Sequence, residues 1–158
     1  MSNDHKDAPN FNKHIHPPIV ALIFITMAHL LGWFVRVPFI VPDFMENVGF
    51  GLIVVGFFLA VAAFLEFRKS HTTLDPHGSV KVLVTNGVFR VTRNPIYLGF
   101  LLMVIGFPLN AGLYSGVLVA PFFMVTVNQL VIEKEEAYLE KKFGEAYTGY
   151  RSRVRRWL

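Results

Sequence analysis

Four apolar stretches separated by polar segments dominate the pattern of hydrophobic and polar positions along the chain. They cover residues 19–37, 48–67, 96–109 and 113–132. A helix needs about 20 apolar residues to cross a bilayer, and the second and fourth stretches reach that length. The pattern therefore predicts an all-α, polytopic membrane helix bundle with about four transmembrane helices.

The third apolar stretch is short, and only Asn110, Ala111 and Gly112 join it to the fourth. We expect these two to form a tight helical hairpin over residues 95–132, with the short arm tilted or packed inside the bundle. The chain is predicted to form one domain. Its other parts are a polar N-terminal segment (1–18), the first two spans (19–67), a loop (68–94) and a C-terminal helix and tail (133–158). No small-residue cleavage site follows the first apolar stretch, so we expect no secretory signal.

Two short patterns describe the polar segments. Residues 80–85 read as a strand, and Asn86-Gly87 reads as a turn. In the tail, apolar positions recur at spacings of three or four, which predicts one apolar face of an amphipathic helix. Gly144 and Gly149 are expected to weaken this helix without breaking the pattern of apolar positions. Its apolar positions are Leu139, Phe143, Tyr147, Tyr150 and Val154.

Charge predicts the orientation of the bundle. Of the 15 basic residues, 14 fall on one side of a four-span topology, and only Arg36 lies near the other side. Because cytosolic loops are enriched in Lys and Arg, both termini, the loop and the active site are predicted to be cytosolic. The basic tail favours anionic lipid headgroups over nucleic acid as a partner. The 14 are Lys6, Lys13, Arg68, Lys69, Lys81, Arg90, Arg93, Lys134, Lys141, Lys142, Arg151, Arg153, Arg155 and Arg156.

The first candidate for chemistry is the segment 90–99, RVTRNPIYLG. Asn94 suits a helix N-cap, and Pro95 suits the first helical position. A helix start explains these two residues, but it does not explain why Arg90, Arg93 and two aromatic residues crowd the same segment. Free N–H groups at a helix N-terminus beside arginine form an anion site. A plain helix start and an anion-binding site are both consistent with the pattern.

The second candidate is the acidic group Glu133, Glu135 and Glu136 at the exit of the fourth stretch. These carboxylates have no favourable partner at i+3 or i+4, so a solvated helix face is not well supported. Glu135 lies four residues before Leu139, on the expected inward face. An acid there needs a cation or hydroxyl donors, either from the loop arginines or from a bound cationic cofactor. The chain has no cysteine, and its histidines show no metal-ligand spacing.

Together, the two candidates resemble the signatures of the isoprenylcysteine carboxyl methyltransferases, whose wider family includes the phospholipid N-methyltransferases. The resemblance rests on LVTNGVFR at 83–90, RNPIYLG at 93–99 and the C-terminal pattern EExxLxxxFGxxYxxYxxxV at 135–154. It covers roughly the second half of the chain. The first two apolar stretches resemble the family only in being predicted transmembrane helices, and no sequence motif is shared there.

The resemblance implies an integral membrane methyltransferase that uses S-adenosylmethionine (SAM) and acts on a lipid-like acceptor. The cofactor would be held between the loop and the tail helix. The implied catalytic residues are Arg93, Glu135 and Glu136. The implied cofactor contacts are Lys81, Val82, Leu83, Val84, Phe89, Asn94, Pro95, Ile96, Tyr97 and Glu135.

This chain departs from the family pattern at two positions. Asn94 replaces a histidine of the eukaryotic members. Val131 replaces an arginine on the acceptor side, and a valine cannot bind a carboxylate. The methyltransferase assignment therefore fits better than the prenylcysteine one. A phospholipid amine N-methyltransferase, a membrane reductase with a similar C-terminal region and a non-catalytic membrane module are the alternatives.

Overall fold

The computed structural model describes residues 16–35, 42–70 and 82–158. Throughout these ranges the regular structure is helical, which confirms the predicted all-α class. The helices are α1 (Pro17–Phe34), α2 (Asp43–Lys69), α3 (Pro95–Asn110), α4 (Ser115–Val127), α5 (Glu133–Phe143) and α6 (Glu145–Arg153), with a 3-10 turn at Gly87–Arg90. A π-helical stretch, Asn128–Ile132, joins α4 to α5 without a break.

Three helices are long and apolar enough to cross a bilayer. They are α1, α2 and the continuous 29-residue helix Ser115–Phe143. Helix α3 has 16 residues, or about 24 Å at 1.5 Å per residue, which is shorter than a hydrocarbon core of about 30 Å. The predicted membrane bundle is confirmed, while a fourth complete crossing by α3 stays a prediction.

Helix α3 lies inside the bundle, because nine of its 16 residues are buried. It packs closely and antiparallel against α2 through glycines. Gly49 faces the carbonyl oxygen of Gly106, and Gly56 faces that of Gly99. Such small-residue contacts let helix backbones approach each other in a membrane. Of the two expectations for the short arm, the packed one is confirmed.

Adding a methyl group at this contact is expected to destabilise the protein. A Cβ at Gly56 would lie 2.5 Å from the carbonyl oxygen of Gly99, a backbone atom that cannot move away without shifting a helix. We expect Gly56→Ala to cost about 1–3 kcal/mol of stability. Gly51 lies on the same helix and a Cβ there meets nothing within 4 Å, so Gly51→Ala is the matched control. Equal melting temperatures of the two variants in detergent would contradict this packing argument.

The helix ends that flank the predicted site lie at one end of the bundle, called the site end below. The antiparallel glycine contacts place the end of α2 beside the start of α3. The hairpin turn at Gly112, which has a φ of +72°, brings the end of α4 back to the same place. Gly32 near the end of α1 contacts Leu113 and Ser115 at the start of α4. The start of α1 therefore also belongs to the site end.

Two expectations for the polar segments are wrong. Residues 82–85, the described part of the predicted strand, form no strand, because no segment of the described chain pairs with them. The tail helix is broken at Gly144, where φ is +51°, a conformation that glycine adopts without steric cost. The tail is thus two helices, α5 and α6. The expected apolar face persists in α6, where Tyr147 and Tyr150 are buried.

Candidate functional site

The loop before α3 folds onto the end of α2 through a small apolar cluster. Val84 and Phe89 are buried against Ala63, and Ile96 packs at the edge of this cluster. The rings of Phe67 and Phe89 meet edge to face with centroids 5.2 Å apart. The cluster brings three of the predicted cofactor contacts, Val84, Phe89 and Ile96, to one place.

The predicted turn at Asn86-Gly87 is confirmed, and it lies directly against α2. Gly87 has a φ of +58°, and a Cβ there would lie 2.8 Å from the carboxyl carbon of Glu66. Glu66 also forms an ion pair with Lys69, at 2.9 Å. Only glycine fits this position, since both the backbone conformation and the nearby carboxyl exclude a side chain.

Glu135 has a hydroxyl partner rather than an arginine. The Tyr97 hydroxyl donates a hydrogen bond of 2.8 Å to Oε1 of Glu135, which links the first turn of α3 to the first turn of α5. Arg90 is exposed and reaches the side chain of Asn86 at 3.5 Å. Of the two partners expected for Glu135, hydroxyl donors or loop arginines, the structure shows the first.

Glu136 is buried between two arginines. Its Oε1 lies 3.1 Å from Nη2 of Arg93, and the two side chains are only 8% and 9% exposed. Arg156 binds the same carboxylate in a bidentate manner, with Nη2 at 2.6 Å from Oε2 and Nε at 3.2 Å from Oε1. Glu133 lies farther from Arg156, at 3.9 Å. The hydrogen bond from Arg156 to Glu136 raises the pKa of the Arg156 guanidinium above its usual value.

Arg93 keeps two buried N–H groups, at Nε and Nη1, that have no hydrogen-bond partner. A buried donor without a partner costs about 1–3 kcal/mol, and more when the group is charged. Glu136 is also shared by two guanidinium groups, so it neutralises the charge of Arg93 only in part. Arg93 is therefore ready to bind an anionic group with two acceptor oxygens.

The end of the chain returns to the loop before α3. The backbone N–H of Arg93 donates to the carbonyl oxygen of Arg155 at 3.0 Å. The Thr92 hydroxyl and the Asn94 side-chain amide donate to the carbonyl oxygen of Arg156, at 3.1 Å and 3.0 Å. Asn94 does occupy the N-cap position of α3, but its side chain makes no capping bond. The expected capping role of its side chain is thus wrong, because that amide binds the tail instead.

Helix α6 supports the loop from the other side. The buried hydroxyl of Tyr150 donates to the carbonyl oxygen of Phe89 at 2.7 Å. Burial raises the pKa of Tyr150 well above its usual value, so the hydroxyl keeps its proton at physiological pH. Burial also raises the pKa of Tyr147 to about 12. Both tyrosines are thus neutral packing residues that hold α6 against the site end.

Other predicted site residues are placed differently. Pro95 is buried at the start of α3, Leu83 is half-buried, and Val82 is 48% exposed. Lys81 lies outside the described residues. Val131, at the position of the family's acceptor-side arginine, is 2% exposed inside the core.

Sequence reasoning missed Thr92 and Arg156. Thr92 lies between Arg90 and Arg93, which were the candidates for anion binding. Arg156 belongs to the basic tail, which was predicted to bind anionic lipid headgroups. The available signal was Trp157, an apolar residue in an otherwise polar tail. It packs against the main core cluster and shows that the tail folds back onto the bundle.

Comparison with known proteins supports the resemblance on which the site was predicted. A family model described as phospholipid methyltransferase matches residues 44–146, which includes nearly all of the second apolar helix, the signature segments at 83–99 and the first part of the C-terminal signature. An uncharacterised protein from Haemophilus influenzae is 41% identical over 66 residues, which cover 40% of this chain and all of that protein. No solved structure matches this chain.

Two related enzymes carry a functional name. The protein-S-isoprenylcysteine O-methyltransferase of Schizosaccharomyces pombe is 28% identical over 72% of this chain and 52% of its own length. Protein-S-isoprenylcysteine O-methyltransferase B of Arabidopsis thaliana is 31% identical over 70% of this chain and 57% of its own length. The chain thus spans little more than half the length of these enzymes. Because the family model covers most of the sequence, the chain belongs to the phospholipid methyltransferase family.

Proposed function

We propose that the chain is an integral membrane methyltransferase that uses SAM and acts on a lipid-like acceptor. The observation that carries this proposal is Arg93, a buried arginine with two unpartnered N–H groups at the start of α3. It provides the donors that the methionyl carboxylate of SAM requires. The family to which the chain belongs supplies the reaction class.

The residues near Arg93 fit the rest of the cofactor. Glu135 offers a carboxylate, held by Tyr97 at 2.8 Å, that suits the ribose hydroxyls or the amino group. Phe89 and Tyr97 supply aromatic side chains at the same end of the bundle, and aromatic faces attract a sulfonium cation. In the part of the chain that the structure describes, no group of three or more metal-ligating side chains occurs, and the proposal requires none.

When bound, SAM supplies a methyl group activated by its sulfonium. Arg93 and Glu135 would hold two polar groups of the cofactor, so that acceptor and methyl group meet in line. Glu136 would act indirectly, by holding Arg93. A carboxylate or thiolate acceptor would need no proton transfer from this set, whereas an ammonium acceptor would first have to release a proton to water. The apolar cluster around Phe89 and Val84 would exclude water from the reaction.

Ligand-induced stabilisation of the purified protein tests this function. We expect SAM and S-adenosylhomocysteine to raise the melting temperature, and NADPH to leave it unchanged. A ligand at a hundredfold excess over its Kd stabilises a protein by about 2.7 kcal/mol, which is easily measured. Stabilisation by NADPH alone would favour the membrane reductase, and no stabilisation by any of the three would favour the non-catalytic module.

We further propose that the site end faces the cytosol, with both termini on that side. The exposed cations of the described chain support this orientation, because Arg68, Lys69, Arg90 and the basic residues of α5 and α6 all lie at the site end. Positive charge favours the cytosolic side. Reporter fusions at the two termini should therefore both report a cytosolic position, and reporters on opposite faces would overturn the proposal.

A further inference from the structure

The last residues of the chain, 154–158, form a C-terminal strap across the site end. Backbone carbonyls of the strap accept hydrogen bonds from Thr92, Arg93 and Asn94. The side chain of Trp157 packs into the core cluster. The Arg156 side chain turns towards α5 and binds Glu136. The strap thus connects the loop before α3, helix α5 and the bundle core.

Within these contacts, Glu136 is shared between Arg93 and Arg156. Its Oε2 is bound by Arg156 at 2.6 Å, and its Oε1 lies between Nη2 of Arg93 at 3.1 Å and Nε of Arg156 at 3.2 Å. Arg156 therefore fixes the orientation in which the carboxylate meets Arg93. Without Arg156, the carboxylate of Glu136 can rotate, and the ion pair with Arg93 is no longer held in one geometry.

Charge gives Arg156 a second effect on Arg93. An isolated Arg93–Glu136 pair would be neutral, so an anionic ligand would gain little from approaching it. Because Arg156 binds the same carboxylate, Glu136 neutralises the charge of Arg93 only in part, while the more exposed Glu133 lies 3.9 Å from Arg156. The unpartnered N–H groups of Arg93 are where that charge can be used, since charge-assisted hydrogen bonds are the strong ones.

We propose that Arg156 is a positioning residue of the cofactor site, which acts through Glu136 to orient Arg93 and to leave its charge available to the carboxylate of the cofactor. This inference rests on the proposed function. It adds the C-terminal strap to the site, and it assigns Glu136 to the support of Arg93 rather than to direct contact with ligand.

Arg155 offers a matched control for Arg156. Its side chain is exposed, and its contact with Arg93 is made by the backbone carbonyl, which a substitution leaves in place. Arg155→Gln and Arg156→Gln remove the same charge from adjacent residues. A general effect of tail charge on the membrane or on folding would change both variants alike.

The experiment measures the affinity of two ligands by calorimetry with the full-length protein in detergent. S-adenosylhomocysteine carries the amino-acid carboxylate, and 5′-methylthioadenosine lacks it. We expect Arg156→Gln to lower the affinity for S-adenosylhomocysteine about tenfold and to leave the affinity for methylthioadenosine unchanged within twofold. Arg155→Gln should change neither affinity. The affinity of Arg156→Lys for S-adenosylhomocysteine should lie between those of the wild type and Arg156→Gln, because lysine keeps the charge without the bidentate geometry.

Coupling to Glu136 is tested by the double variant. If Arg156 acts through Glu136, adding Arg156→Gln to Glu136→Gln should cause no further loss of affinity. Equal loss for both ligands, or an additive double variant, would overturn the proposal in favour of a purely structural role. If Arg156→Gln does not fold, the comparison of the two ligands in Arg156→Lys decides in the same way. Failure of the wild type to bind S-adenosylhomocysteine would instead refute the proposed function.

Discussion

Replacing Glu135 by glutamine is expected to weaken SAM binding tenfold to more than a hundredfold. Glu135 accepts a hydrogen bond from Tyr97 at 2.8 Å and, unlike Glu133 and Glu136, has no arginine partner within the described chain. It is therefore available to a ligand. Losing one charged hydrogen-bonding group costs about 1.5–3 kcal/mol, which corresponds to this range of affinity.

Glu140 provides the control for this prediction. It lies on the same helix, but it pairs with Arg151 at 3.1 Å on the surface, where both side chains are about half exposed. Surface pairs of this kind contribute about 0–1 kcal/mol. Glu140→Gln should therefore leave SAM affinity unchanged within twofold, as measured by calorimetry. Equal losses in the two variants would show that the acidic group of α5 is only a solvated helix face.

Much of the helical fold could be predicted because it depends on local sequence. The apolar stretches end close to the observed helices, and the three-residue link before Leu113 can only form a hairpin. Asn86-Gly87 turns as expected because glycine tolerates positive φ. Each of these features is set by neighbouring residues, so a reading along the chain finds them.

The parts that sequence reading missed depend on distant contacts. The side chain of Arg156 binds Glu136, 20 residues earlier in the chain, and its carbonyl oxygen accepts a hydrogen bond from Thr92, 64 residues earlier. No local sequence pattern distinguishes Arg156 from the exposed arginines beside it. The break at Gly144 escaped because the spacing of apolar residues continues through it. The π-helical stretch Asn128–Ile132 changes which face of α5 turns inward. Glu136 is buried there, and Glu135 is half-buried.

We expect the methyl acceptor to be apolar over most of its length and to reach the site from the membrane. Outside the bundle the described chain consists only of a short loop and two short helices, too little to enclose both SAM and a bulky acceptor. Helices α1 and α2 expose large apolar side chains such as Leu22, Phe57 and Phe58. These surfaces suit an acyl or prenyl chain rather than a polar metabolite.

A prenylcysteine carboxylate is not expected to be the best acceptor. Val131 occupies the position of the family's acceptor-side arginine and is buried in the core. The nearby cations Arg93 and Arg156 already share Glu136, and the remaining donors of Arg93 are assigned to the cofactor. An anionic acceptor would then be buried without a partner, at a cost on the order of several kcal/mol. Arg90 is exposed, and Arg90→Gln tests whether it supplies that partner from the loop.

The measurement is a methylation assay with labelled SAM and three acceptors in liposomes: an aminophospholipid, a prenylcysteine analogue and a small water-soluble thiol. We expect the aminophospholipid to be methylated at least tenfold faster than the prenylcysteine analogue, and the soluble thiol most slowly. Efficient methylation of the prenylcysteine analogue would refute the carboxylate argument, and its loss in Arg90→Gln would identify the missing partner. Preference for the soluble thiol would refute entry from the membrane, because a small polar acceptor gains nothing from the apolar surfaces of α1 and α2.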